Sequence, residues 1–140
     1  MHSYARLIGI DVGTKRCGLA QTDLLQTIAS PVGTFSPDEI VEKISRIVEE
    51  SPVEGFVVGW PLKPNGEEGS ATQMVQEFIN RLNNLHKDIP IIKIDERYTS
   101  NQAKDVMFEI GVPKKKRRQK ERVDRIAAAL ILQNYLDSKY

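Results

Sequence analysis

The stretch that decides the fold is Ala5-Arg6-Leu7-Ile8-Gly9-Ile10-Asp11-Val12-Gly13-Thr14-Lys15-Arg16-Cys17-Gly18-Leu19-Ala20-Gln21-Thr22. Residues 5–11 are a short apolar run closed by an aspartate, which reads as a strand. Gly13 marks a turn, and residues 16–22 return as a second strand. Residues 27–35 carry Ile28, Val32 and Phe35 with Pro31 among them. A third strand is predicted there, irregular or on an edge, because proline cannot donate to a ladder. Three strands with short connections predict an antiparallel meander.

Outward from the meander the pattern changes to helices alternating with strands. Ser36-Pro37-Asp38-Glu39 supplies an N-cap, a proline at the first helical position and a glutamate that completes a capping box. Ile40, Ile44, Ile47 and Val48 then form one apolar face. Residues 54–60 are a fourth strand, and residues 61–69 a Pro/Gly/Asn loop. Ser70 and Gln73 form the next capping pair, ahead of Val75, Phe78, Ile79 and Leu82 at helical spacing. Residues 91–94 are a fifth strand. Thr99 and Gln102 form a third box, with Ala103, Val106, Met107 and Ile110 behind it and Gly111 and Pro113 as the stop. The last helix is expected from about Val123 to Ser138. The order β-β-β-α-β-α-β-α predicts an α/β fold: a mixed five-stranded sheet flanked by helices, with strands 4 and 5 parallel after their crossovers. No repeat or linker divides the chain, so residues 1–140 are read as a single domain.

Composition excludes several classes. The 140 residues are 40% hydrophobic and 28% charged, a globular balance. The single cysteine, Cys17, cannot form an internal disulfide. With only His2 and His86 beside it, a structural zinc site of four N or S ligands is ruled out. No apolar run approaches the roughly 18 residues of a membrane span. The first residues lead into a strand rather than a signal-peptide core, so a cytoplasmic protein is expected.

Three carboxylates stand where a metal site can form. Asp11 ends the first strand, within Gly9-Ile10-Asp11-Val12-Gly13, and a carboxylate there needs a partner, water or a cation. The alternative is a turn-forming aspartate. Glu96 follows the fifth strand and shares parity with Ile92 and Ile94; the alternative is a strand-end charge, with the neighbouring Asp95 pairing to Arg97. Asp124 shares a helical face with Ala127, Ala128, Ile131 and Tyr135. Ala127-Ala128-Ala129 removes bulk over one turn, so the helix can approach the sheet closely there. A first-turn aspartate favoured by the helix dipole is the other reading of Asp124. Two carboxylates about 4 Å apart repel by roughly 4 kcal/mol at an effective dielectric of about 20. A proton or a cation between them relieves that, and oxygen-only ligands suit Mg²⁺ or Mn²⁺.

The net charge of +1 hides a concentrated strip. Between Gly111 and Arg125 stand Lys114, Lys115, Lys116, Arg117, Arg118, Lys120, Arg122 and Arg125. Glu121 and Asp124 leave that segment at +6 and the rest of the chain at −5. Such a strip attracts polyanions with a salt-sensitive, sequence-blind affinity. The plain alternative is a solvated loop.

Four blocks in order carry a resemblance. They are residues 9–20, then Gly59-Trp60-Pro61-Leu62 with Gly66 and Gly69, then Asp95-Glu96-Arg97-Tyr98-Thr99-Ser100, and Asp124-Arg125-Ile126-Ala127-Ala128-Ala129 through Leu136. From about Leu7 to Tyr140 the chain resembles the YqgF/RuvX-like family of small bacterial ribonuclease H-like proteins, described as pre-16S rRNA nucleases and as Holliday junction resolvases. Ser100 and Cys17 depart from the usual family residues. The resemblance implies a ribonuclease H-like fold and a metal-dependent nuclease acting on structured nucleic acid, with a role in maturing the 5′ end of pre-16S rRNA. It carries catalytic and metal-holding roles onto Asp11, Glu96 and Asp124, with one or two Mg²⁺ or Mn²⁺ ions. The fourth acid of many ribonuclease H patterns is missing at Gly59-Trp60-Pro61, which leaves the ion count open.

Lys15 and Arg16 are then expected on flanking phosphates, Arg97 as a bidentate phosphate clamp or an Asp95 partner, and Lys114, Lys115, Lys116, Arg117 and Arg118 as a backbone grip. The 61–69 loop is expected to flap over substrate, and Trp60 and Tyr98 are candidates for stacking on a base, with a core or packing role the favoured reading of Trp60. Partners are pre-16S rRNA or a ribosome precursor, or branched DNA, and no membrane. Two rivals remain: an actin-like ATPase or sugar kinase, from the Asp11-Val12-Gly13-Thr14 phrase, and a non-catalytic rRNA- or ribosome-binding module.

Overall fold

A computed structural model describes residues 4–96 and 116–138, without the side chains of residues 116–125. β1 (Arg6–Asp11) sits at the centre of a five-stranded sheet ordered β3-β2-β1-β4-β5. Central placement explains its unbroken apolar run, since both faces are covered. β2 (Cys17–Thr22) pairs antiparallel with β1, and β3 (Ala29–Phe35) antiparallel with β2 at the sheet edge. The register slips between Leu19 and Ala20, which face Gly33 and Pro31, so Val32 is the extra residue of a bulge beside the proline. β4 (Val53–Trp60) lies parallel to β1 on its other side, and β5 (Ile91–Asp95) parallel to β4. The meander and the two parallel additions match the sequence pattern.

Helices cover both faces. α1 (Pro37–Glu50) opens with the expected box: Ser36 Oγ accepts from the Glu39 N–H at 3.2 Å, and Glu39 Oε1 accepts from the Ser36 N–H at 3.0 Å. α2 (Ser70–Leu85) departs from expectation at its start. Its N-cap is Gly69, not Ser70, and the third helical position is Thr72, not Gln73. The Thr72 hydroxyl accepts from the Gly69 N–H at 2.9 Å and donates to the Gly69 carbonyl at 2.7 Å.

α3 (Lys116–Ser138) starts seven residues before the expected Val123. Lys, Arg, Gln and Glu are good helix formers, and no breaker lies between Pro113 and Ser138. The basic strip is therefore helical from Lys116 rather than a loop. The third capping box, at Thr99, and its helix to Ile110 lie outside the described residues.

Strand alternation divides the core in two. Ile8, Ile10, Leu19, Phe56 and Val58 pack with Ile40, Ile44, Val75, Phe78 and Leu82 of α1 and α2. Leu7, Ala20 and Val57 pack with Ala128, Ile131, Leu132 and Leu136 of α3. A Cβ on Gly9 would come within 2.8 Å of Leu132 Cβ and 2.9 Å of the Ala128 carbonyl, so the close approach expected from the alanine run occurs against a bare strand. Among the described residues no helix is long and apolar enough to cross a membrane.

Candidate active site

The carboxyl ends of the parallel strands β1, β4 and β5 finish at one edge of the sheet. Asp11 is the last residue of β1, and Glu96 follows the last residue of β5. Strand parity turns both toward the α3 face, because Asp11 follows Leu7 and Gly9 while Glu96 follows Ile92 and Ile94. β4 lies between them, so their backbones are two strand spacings apart, about 9.6 Å. Glu96 bridges that gap by lying across Gly59. A Cβ on Gly59 would overlap the Glu96 carboxyl group and come within 2.7 Å of Ile131 Cδ1. Glutamate has the reach that aspartate lacks, and glycine leaves the path open.

The two acids meet. Burial pushes the Glu96 carboxyl up to about 9, helped by the negative charge of Asp11, by a hydrogen bond with Asp11 and by the charge of Asp95. At neutral pH Glu96 thus keeps its proton and donates it to the Asp11 carboxylate. This half-buried oxygen pair needs something positive between its members, and a hard divalent cation in place of the proton satisfies the same need. Among the described residues no group of three His, Cys, Asp or Glu side chains comes together. Asp95, one residue earlier, is exposed.

The other expected site residues fall into three groups. Lys15 and Arg16 lie in the turn after Asp11, at the same sheet edge, with Lys15 exposed and Arg16 half-buried. Gly13 makes that turn possible, since a Cβ there would overlap the Arg16 carbonyl. Lys116, Arg117, Arg118 and Asp124 lie in α3, within its undescribed side-chain stretch. Asp124 is more than two turns inside that helix, which removes the first-turn dipole reading. Arg97, Tyr98, Lys114 and Lys115 lie outside the described residues.

Residues 61–69, expected to form a flap, fold as a hydrogen-bonded loop. Lys63 N–H donates to the Glu67 carbonyl at 2.9 Å, Gly66 N–H to the Lys63 carbonyl at 2.8 Å, and Gly66 has a positive φ of 89°. Trp60 is half-buried against the α1/α2 core, and Lys93 Nζ lies 4.0 Å from its ring centroid. One ring face is therefore covered by an ammonium, and packing is the role these contacts show. Gly59 is the site residue whose role sequence reasoning missed; it registered there as part of a resemblance block and as the place of a missing acid, not as the seat of Glu96.

Comparison with known proteins agrees over nearly the full length. A family model described as "RuvX: Holliday junction resolvase" matches residues 5–138. A Salinibacter ruber protein named "Putative pre-16S rRNA nuclease" is 42% identical over 137 residues, covering 98% of this chain and 96% of its own. A Chlorobium phaeobacteroides protein of the same name is 43% identical over 133 residues, covering 95% and 92%. Among solved structures, T. thermophilus RuvC in complex with a Holliday junction substrate superposes with a TM-score of 0.58 at 14% identity, covering 97% of each chain. A second Thermus thermophilus RuvC structure gives 0.52 at 17% identity. These likenesses show the fold, which is ribonuclease H-like as the sequence resemblance implied.

Proposed function

The chain belongs to the RuvX family, and from that premise we propose that it is a divalent-metal-dependent nuclease that hydrolyses phosphodiester bonds in structured nucleic acid, its substrate being the 5′ end of pre-16S rRNA in the cytoplasm. The observation that carries this reading is the meeting of Asp11 and Glu96 across Gly59. Relatives at about 40% identity bear the rRNA nuclease name.

Asp11 and Glu96 would hold the ion, Mg²⁺ or Mn²⁺, as one or two ions. Asp124 completes the set in this reading. From Gly9 to Asp11 is two strand residues, about 6.6 Å, which equals about four helical residues, the step from Ala128 to Asp124. Ala128 is the helix residue whose carbonyl faces Gly9. When bound, the cation supplies Lewis-acid neutralisation of the phosphate charge and activation of water. The chain's own groups do the rest. Glu96 would have to lose its proton to hold an ion, and Gly59 leaves the space in which its carboxylate lies. Lys15 and Arg16 take phosphates beside the cut. Lys116, Arg117 and Arg118, on the first turn of α3, present charge on a helix rather than on a loop, with Lys114, Lys115 and Arg97 as further backbone contacts.

A four-way DNA junction is the second substrate reading, favoured by the family's description. The test is cleavage of a precursor rRNA fragment beside a four-way junction, with Mg²⁺ or Mn²⁺, for wild type and Asp124→Asn. Cleavage of the rRNA fragment alone, lost in the variant, is expected; cleavage of the junction alone moves the assignment to DNA. Cleavage of neither, with rRNA maturation in cells unaffected by Asp11→Asn, leaves the non-catalytic binding module. An ATP-analogue titration without binding removes the kinase-like rival.

A further inference from the structure

On the other face of the sheet from the acid pair, at the same edge, lies a groove of about 510 Å³. Trp60 and Lys93 line its sheet side, and Glu68, Gln73 and Gln76 its α2 side. Its volume falls within the range of about 300–1,000 Å³ typical of small-ligand sites. Two features make it more than a gap. First, Lys93 is exposed yet held: its ammonium lies over the Trp60 ring and donates to Gln76 Oε1 at 2.8 Å. An ammonium has three donors, and a hydrogen bond and a ring contact leave capacity for an anion. A side chain held before binding loses less freedom on binding. Second, the groove is tied to the acid pair. The Trp60 carbonyl accepts from the Glu96 N–H at 3.2 Å, and Trp60 follows Gly59, on which the Glu96 carboxyl lies. The acid pair and the groove thus belong to the same ends of β4 and β5, on opposite faces of the sheet.

We propose that this groove holds one unpaired nucleotide of the strand being cut, with its phosphate on Lys93 Nζ and its base beside Trp60; the proposal rests on the nuclease reading. Gln73 and Gln76 carry both donors and acceptors, so they fit any base edge. Glu68 accepts from a base amino group or a ribose hydroxyl and repels a second phosphate. A base paired in a duplex has its Watson–Crick edge taken up by its partner and is held in the stack. The site thereby selects substrates with an unpaired nucleotide flanking the cut.

Trp60 is the only tryptophan in the chain, so its fluorescence reports on the groove. The full chain in EDTA is titrated with a short single-stranded oligoribonucleotide and with a blunt duplex of the same sequence. Quenching by the single strand and not by the duplex is expected. Lys93→Gln weakens the binding several-fold and lowers the slope of log affinity against log salt by about 0.7, the value of one single-strand phosphate contact. Lys93→Arg restores the slope, and Lys43→Gln on α1 changes nothing. Equal affinity and slope in Lys93→Gln, or equal quenching by the duplex, overturns the groove assignment. Cleavage is assayed in parallel with Mg²⁺. Quenching without cleavage in wild type overturns the nuclease reading and leaves the groove as a strand-binding site.

Discussion

The two faces of the sheet are built from alternate residues of the same strands, and they differ in kind. Toward α1 and α2 the strands present Ile8, Ile10, Phe56 and Val58, all fully buried. Toward α3 they present Leu7, Gly9, Asp11, Val57 and Gly59, with Ala128 opposite. The first face is packed with bulk, and each side chain there stabilises by its burial. The second gives up bulk at two glycines, so that a helix can come close and a glutamate can cross a strand. The acid pair sits on the lean face, and the packed face holds its strands in place.

That contrast can be broken or sharpened by substitution. Phe56→Ala, on the packed face, removes a fully buried ring and should cost about 3–5 kcal/mol in urea unfolding. Folded Phe56→Ala at low temperature should still cleave. Glu96→Gln, on the lean face, should behave oppositely. Its cleavage rate should fall by at least about a hundredfold, roughly 2.7 kcal/mol. Its metal-free melting temperature should hold or rise, because glutamine is neutral without the proton that Glu96 must take up on folding and can still donate to Asp11. A Glu96→Gln protein that melts earlier yet cleaves normally would reverse the two roles. Gly59→Ala should do both kinds of damage, losing about 1–3 kcal/mol to overpacking against Ile131 and losing cleavage as Glu96 is displaced. Ser36→Ala removes the α1 cap, two strands over from Asp11, and should cost about 1 kcal/mol with cleavage unchanged.

Much of this was legible in the chain itself. Asp11 and Glu96 each close an apolar strand, and strand parity put Glu96 with Ile92 and Ile94, the face where it lies. The alanine run at 127–129 correctly foretold a close helix. Legibility failed where partners come from separate elements. That Gly59 is the seat of Glu96 follows only once β4 is known to lie between β1 and β5. The Lys93–Trp60–Gln76 contact joins two strands and a helix, and no local spacing marks it. The start of α3 was missed because its first two turns are cationic, and helical periodicity is read from apolar residues. The α2 cap moved by one position because Ser70 and Thr72 both carry hydroxyls, and the geometry chose Thr72.

The acid pair also sets a pH dependence. The folded-state value of Glu96, about 9, lies above the ordinary value of 4.5, so folding takes up a proton between the two. Without metal, stability is fully present below the ordinary glutamate range and falls as pH rises toward about 9. The most direct test is the proton count on adding Mg²⁺ or Mn²⁺ at pH 7 in weak buffer. An ion held by Asp11 and Glu96 must expel the shared proton, so wild type should release about one proton per chain and Glu96→Gln none. Binding without proton release, or equal release in both proteins, would contradict the convergence of the two acids on one cation.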